Sequence, residues 1–371
     1  MKKSIIIFLV MLITVGIYGC GTGENNSKHD VLAPDVEEKV LSHEGQREIV
    51  DLGGNVVKLP SAEKLNRVVI ISPPIASIQY GVLKDTSNIV ATHPLTFKNA
   101  NPQIIKKIFK NFDGIDTSFI KGFSISTESV LNLKPDIIFY YGQQQKKGLE
   151  SLNIPMVDFM KPKDRDPVAI TTEWERLIRD IYQVEDGKTI KEEWEKIDKE
   201  LSTSLEKIGE GKLKGLMIFN NNSNKIVVSG NNTYGDYWLE MSGLVNVADN
   251  IIGEKEVSME QIYQFNPDII YVFMGEPAMN YLKDINGQDW SKVNAVKENR
   301  IYDVPEGIFS WGAPNADSPL MIHWMMAKNY PSYFNGDKLI NIIKEYYDNH
   351  YNITLTDEML DSIVEPNKER E

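Results

Sequence analysis

Cysteine is nearly absent from this chain: Cys20 is the only one in 371 residues. With no second thiol an internal disulfide is excluded, and stability has to come from buried core. Arginine is scarce, seven of the forty basic residues. A cleft that grips a strongly anionic ligand would draw on the bidentate guanidinium, so highly charged ligands are disfavoured. No excess of positive charge exists either: 40 basic against 53 acidic side chains leave a net charge of −13, which speaks against nucleic acid or an anionic lipid surface as the main partner. Enzyme signatures are missing, with no nucleophile elbow, Walker loop, HExxH or paired-cysteine motif. Long apolar runs are missing as well, except at residues 5–17, and that run is too short to span a bilayer comfortably.

That run reads as an export signal. Lys2 and Lys3 form a positive start, the apolar stretch follows, and Ile17-Tyr18-Gly19-Cys20 closes it. Cys20 is followed by Gly21-Thr-Gly-Glu-Asn-Asn-Ser-Lys28, a flexible polar tether. The pattern resembles a bacterial lipoprotein signal, in which the cysteine is lipidated and the chain is cut before it. Tyr18 departs from the small residue usual at its position. An uncleaved anchor or an ordinary secretory signal are the competing readings.

The most informative presence is a repeat. Residues 125–139, ISTESVLNLKPDIIF, return 132 positions later as residues 257–271, VSMEQIYQFNPDIIY. Six positions are identical: Ser126/Ser258, Glu128/Glu260, Pro135/Pro267, Asp136/Asp268, Ile137/Ile269 and Ile138/Ile270. The spacing is too wide for a solenoid, whose units run at roughly 20 to 50 residues; it fits two similar α/β domains with a cleft between them. Each copy reads as a short helix with a serine N-cap, completed by Gln261 as a capping box in the second. Proline stops the helix, and residues 137–141 and 269–273 follow as apolar strands of the kind buried on both faces in a parallel sheet.

Around the repeats, residues 49–57 read as a hairpin turning at Gly53-Gly54-Asn55, and residues 68–71, 88–92 and 156–159 as strands of a first lobe. From Pro167 to Gly209 the chain turns helical and charged. Ile190, Trp194, Ile197, Leu201, Leu205 and Ile208 form one apolar stripe there. A helix of about 25 residues would reach about 37 Å, enough to bridge the lobes. A coiled-coil segment is the alternative. Strands at 216–219, 226–228 and 301–304 and a helix at 319–330 build the second lobe. The expected organisation is a signal at 1–20, tether at 21–46, N-terminal lobe at 47–166, helical connector at 167–209, C-terminal lobe at 210–335 and a charged helical tail at 336–371.

Together these elements resemble an iron-complex-type periplasmic binding protein of an ABC importer, the class that serves siderophores, haem and cobalamin. The residues that carry the resemblance are the D-x-G-x-x-V hairpin before Leu59-Pro60, Arg67-Val68-Val69 opening the first strand, and the two E-x-(V/I)-x-x-(L/F)-x-P-D-I-I segments. To these add the bridging helix, the stretch Trp290-Ser-Lys-Val-Asn-Ala-Val-Lys-Glu-Asn-Arg-Ile-Tyr302, and the aromatic-Gly-Pro loop before a Trp-Met-Ala-Lys-Asn-Tyr-Pro helix. The resemblance covers residues 47–335 and implies an α/β fold: two Rossmann-like lobes with mainly parallel central sheets, joined by one long rigid α-helix. It further implies a monomeric, non-enzymatic protein without a cofactor that delivers a small-molecule metal complex to an ABC permease and its ATPase. Cys20 would moor it to the cell membrane through lipid. Family members meet permease arginines with the repeated glutamates, here Glu128 and Glu260; an acid that merely complements the helix dipole is the plainer reading.

Ligands of open α/β lobes gather at the carboxyl ends of strands. Those ends carry a neutral, aromatic and amide-rich set, and the candidates are Ser72, Pro73, His93, Tyr141, Gln143, Asn221, Met274 and Trp311. Tyr141 and Trp311 would stack on a planar chelate. His93 is the only histidine at a strand end and the only candidate metal ligand, although one imidazole without a carboxylate or cysteine cluster makes a poor site. The ligand reading is an iron-siderophore or related metal complex, with corrinoid, haem, nickel or cobalt chelate and oxyanion as alternatives. Glu306, Asp317 and His323 are the residues an extracellular hydrolase would use; a metal-storage protein is the other reading from a different class.

Overall fold

In the hairpin β1 (Arg47–Val50) and β2 (Val56–Leu59), the Asp51 carboxylate accepts the Asn55 backbone N–H at 2.7 Å and its side-chain amide at 3.0 Å. Gly54 supplies the left-handed φ of +82° that the turn needs. The computed structural model describes residues 47–367 apart from 123, 210, 223, 224, 284, 286 and 335. The signal reading, Cys20 and the tether therefore lie outside the described residues. Among those residues no helix is long and apolar enough to cross a membrane.

The first half runs β3 (Val68–Ile70), α1 (Ile75–Leu83), β4 (Ile89–Thr92), α2 (Leu95–Lys98), α3 (Pro102–Ile108), β5 (Ile120–Lys121), β6 (Ser124–Ile125), α4 (Thr127–Asn132), β7 (Ile137–Tyr140), α5 (Gln143–Lys146) and β8 (Met156–Asp158). Its main sheet has the order β4-β3-β7-β8, with every pairing parallel. All of β3 and β7 is buried, as continuous Val/Ile/Phe runs demand when helices cover both faces.

Two helices follow where the sequence suggested one long bridge: α6 (Pro167–Tyr182) and α7 (Ile190–Ile208). The rod breaks because Gln183 takes a left-handed φ of 55° as the C-cap of α6 and Gly187 one of 105°. A capping box between Thr189 and Glu192 then restarts the helix. The expected apolar stripe is buried at Ile190, Trp194, Ile197 and Leu201, each such burial contributing about 1.5–3 kcal/mol.

The second half runs β9 (Lys214–Asn222), β10 (Lys225–Ser229), α8 (Tyr234–Met241), β11 (Val245–Asn246), β12 (Glu254–Val257), α9 (Met259–Phe265), β13 (Ile269–Val272), α10 (Asn294–Lys297) and β14 (Ile301–Asp303). Its sheet has the order β12-β10-β9-β13-β14, with β11 also on β9. Strands β9, β13 and β14 are parallel, while β10 is antiparallel to both neighbours. The chain closes with α11 (Ser318–Asn329), α12 (Gly336–Tyr351) and α13 (Asp357–Val364).

The repeat thus lies in two different sheets and performs one job twice. Ser126 and Ser258 cap α4 and α9 through the backbone N–H groups of Ser129 and Gln261. Asp136 Oδ2 accepts the backbone N–H of Asn66 and Arg67 at 2.9 Å, and Asp268 Oδ2 accepts that of Lys214 at 2.9 Å. Each Pro-Asp therefore ends a helix and pins the head of the neighbouring strand. One apolar cluster runs from Ile70 and Phe139 through Trp174 and Trp194 to Met217 and Tyr271, so both sheets share a core.

Candidate functional site

Helix α2 begins directly after β4, because Pro94 fixes a helical φ of −58° and Thr96 N–H bonds the His93 carbonyl at 2.9 Å. This turn carries Leu95, Lys98 and Asn99 to one wall of a cavity of about 360 Å³. The rest of the lining comes from the second half: Asn222 at the end of β9, Phe273, Met274 and Gly275 after β13, Asp303, Val304 and Glu306 at the end of β14, and Pro366 and Asn367 from the C-terminal segment. The cavity therefore sits at the carboxyl ends of strands in both halves, where open α/β sheets receive ligands. Gly275 is required by geometry: its φ is +103°, and a Cβ there would stand 2.5 Å from the Asn221 carbonyl.

One ammonium, Lys98, faces two carboxylates, Asp303 and Glu306, three amides, and the apolar surfaces of Leu95, Phe273, Met274 and Val304. Phe273 is held by Phe219, ring centroids 5.6 Å apart. Such a lining suits a partly apolar guest with polar groups on its rim.

Of the eight side chains anticipated from sequence, Met274 lines this cavity. Tyr141 stands at the seam between halves, its hydroxyl 3.3 Å from that of Tyr234 on α8 and its ring edge-on to Trp174. Burial raises the pKa of the Tyr234 hydroxyl, which therefore stays protonated at neutral pH. Ser72 is buried and its carbonyl accepts the first N–H of α1; the Pro73 carbonyl accepts the Thr96 hydroxyl. Gln143 is exposed on α5.

Three expectations are corrected. Trp311 is fully buried and its indole donates to Asp317 at 2.9 Å, so no ring face is open to stack on a ligand. Asn221 is buried, its amide spent on Tyr281 and Gln288. His93 is buried too, with Nδ1 accepting Leu95 N–H and Nε2 at 3.1 Å from the Gly122 carbonyl. Burial holds its pKa below the ordinary imidazole value, and ligation of a metal would cost the bond from Leu95 if through Nδ1 and both bonds if through Nε2. Among the described residues no group of three or more His, Cys, Asp or Glu is placed to hold a metal ion.

Nor do Glu306, Asp317 and His323 converge. Glu306 lines the cavity, whereas His323 faces Glu200 on α7 at 4.0 Å. Asp317 is fully buried: Oδ2 accepts Ile308 N–H at 2.9 Å, Trp311 Nε1–H at 2.9 Å and the Tyr347 hydroxyl at 2.7 Å, and Oδ1 accepts the Tyr351 hydroxyl at 2.8 Å. Burial pushes its carboxyl up against the pull of these donors. The residue ties the loop after β14 to α12. Gly307 fits only as glycine here, because a Cβ would lie 2.1 Å from both Asp317 Oδ2 and the Tyr347 hydroxyl.

A larger cavity of about 480 Å³ lies on α6, α7 and α8, floored by Trp194, Ile197, Leu201 and Met241. It is away from the strand ends and lined by helix flanks, so topology favours the smaller site. On the outer surface, Glu128 and Glu260 are exposed in the first turns of α4 and α9, one on each half. The bond to Ser258 lowers the pKa of Glu260.

A family model described as Periplasmic binding protein matches residues 68–307. The molybdate-binding protein MolA of Haemophilus influenzae is 25% identical over 250 residues, covering 62% of this chain and 70% of that protein. An uncharacterized ABC transporter substrate-binding lipoprotein of Bacillus subtilis, YvrC, is 22% identical over 232 residues, covering 59% of this chain and 68% of that one. The crystal structure of a periplasmic solute-binding protein from Veillonella parvula superposes with a TM-score of 0.71 at 29% identity, covering 86% of this chain and 97% of that one. With the matched stretch spanning more than half of its length, the chain belongs to the periplasmic binding protein family and is a substrate-binding protein of an ABC importer.

Proposed function

We propose that this protein captures a metal complex, in the first place an iron-siderophore, in the cavity at the strand ends and hands it to its permease. The observation that carries the reading is the lining itself: two carboxylates and three amides to one ammonium, beside Phe273 and Met274. An unaccompanied oxyanion would meet more negative than positive charge there, whereas a chelate shields its metal and offers a rim for the amides. Corrinoid, haem and nickel or cobalt chelates share that logic and differ in size. On this reading the stretches 47–166 and 210–335 act as the two lobes, and α6 with α7 restrains their hinge. Exposed Glu128 and Glu260 register the permease, since paired surface charges steer and orient a partner. Lipid on Cys20 moors the chain, a reading supported by its likeness to the Bacillus subtilis protein, which is named a lipoprotein.

A second reading, an oxyanion ligand, is favoured by the identity with the molybdate-binding relative and by Lys98 at the cavity. A thermal-shift panel decides between them. A ligand at about 100 times its Kd adds about 2.7 kcal/mol of stability and is not consumed. Stabilisation by ferric hydroxamates or another metal chelate, with none from molybdate, supports the first reading. Stabilisation by molybdate alone moves the assignment to the oxyanion, and turnover of any ligand overturns a transport role.

A further inference from the structure

The cavity is completed by residues that the family match, ending at residue 307, does not contain. Beyond α11 the chain turns back across both halves. Tyr347 and Tyr351 of α12 donate to the buried Asp317. The Tyr351 carbonyl accepts the Tyr80 hydroxyl of α1 at 3.1 Å, and His350 Nε2 lies 3.0 Å from Glu193 of α7. On α13, Ser362 Oγ receives the Asn101 side-chain amide at 2.9 Å, and the Ile363 carbonyl accepts Glu306 N–H at 3.0 Å. Asn101 caps α3 in the first half, and Glu306 lines the cavity from the second. Two bonds thus seat the end of α13 between the halves, and the next residues, Pro366 and Asn367, enter the lining of the 360 Å³ cavity.

We propose that Pro366 and Asn367 are ligand-selecting residues of this cavity, brought to it by α12 and α13. The inference rests on the reading of the cavity as the substrate site. Proline gives the wall a fixed φ and no donor, so it limits ligand size without adapting to it. Asn367 offers an amide that can donate and accept, suited to the carbonyl and hydroxyl rim of a chelate. The remaining lining comes from strand ends and a short helix inside the two halves; this wall comes from the tail alone.

The test compares the intact protein with a variant lacking residues 366–371 and with the double substitution Pro366→Gly and Asn367→Ala. All bonds of α12 and α13 named above survive in both, so melting temperature serves as the folding control. In the ligand-free state, hydrogen exchange at residues 95–99 and 273–275 is expected to speed up in the deletion. With ferrioxamine as the probe, affinity is expected to fall about 3- to 10-fold in the double substitution, the loss of one hydrogen bond and its packing. The deletion is expected to admit bulkier chelates that the intact protein rejects. Unchanged exchange at those residues with normal melting overturns the proposal whatever the ligand. Faster exchange together with no chelate binding by the intact protein leaves the wall in place and removes the chelate reading of the site.

Discussion

Replacing Asp317 with Ala is expected to be among the most destabilising single changes available in this chain. The carboxylate is fully buried and accepts four donors. Ile308 N–H keeps a partner after the change, because it also reaches the Tyr347 hydroxyl at 3.2 Å. Trp311 Nε1–H and the hydroxyls of Tyr347 and Tyr351 lose theirs. At about 1–3 kcal/mol for each buried donor left unsatisfied, the gross loss is about 3–9 kcal/mol. Removing a carboxylate that is itself costly to bury returns several kcal/mol of this. The net expectation is about 3–5 kcal/mol, the upper tail for single substitutions. In a chain of this length a loss of that size lowers Tm by about 4–6 °C. Asp317→Asn keeps an acceptor and the shape, and is expected to cost about 1–2 kcal/mol. Differential scanning calorimetry of both variants reads the effect. A Tm for Asp317→Ala within about 1 °C of the parent would refute the hub, since that is the range of ordinary surface changes.

Other outcomes follow from single contacts. Glu128→Lys combined with Glu260→Lys should abolish uptake in cells while ligand affinity of the purified protein stays unchanged; normal transport by the double variant contradicts a docking role. Burial pushes the Glu193 carboxyl up, but hydrogen bonds from His350 and Lys196 outweigh it and bring the pKa from 4.5 to about 2. A folded pKa below the unfolded one means stability that is fully present above about 4.5 and lost as pH falls toward 2. The penalty of Glu193→Gln, about 1–3 kcal/mol at pH 6, should therefore shrink across that window in urea titrations, and a constant penalty from pH 6 to pH 2 contradicts the pair. Gly275→Ala forces a side chain into a φ of +103° and against the Asn221 carbonyl. It should cost about 1–3 kcal/mol and weaken ligand binding, and wild-type behaviour in both would show that the two strand ends separate freely.

The features legible in sequence were local ones. Serine caps, the Pro-Asp stops and the apolar strands after them depend on neighbours a few residues apart, and the two copies of the repeat reinforce each other; the structure puts them in separate sheets as read. The break between α6 and α7 carried its signal in Glu185-Asp186-Gly187, which a continuous charged helical pattern concealed. The tail read as charged and amphipathic because its aromatic residues, although they touch one another along α12, complete their burial against elements distant in sequence. Tyr346, Tyr347 and Tyr351 are buried only by meeting α1, α11 and the loop around Asp317. At the proposed site, strand ends pointed to the cavity's surroundings, and Met274 is among its lining residues. Position along a strand does not say which atoms face inward, so Trp311, Asn221 and His93 were expected at the ligand and are spent inside the fold instead. Lys98 and Asn99 were missed, although Pro94 as a helix start was the signal that one turn later would project toward the cleft.

Hydrogen-exchange mapping of the purified protein, with and without a ligand that raises its Tm, tests the central claim most directly. Slowed exchange at residues 95–99, 273–275 and 303–306 together is the expected result, because a guest held between the halves must cover the strand ends of both. Protection confined to α6, α7 and α8, with those segments unchanged, would place the ligand elsewhere and contradict the account.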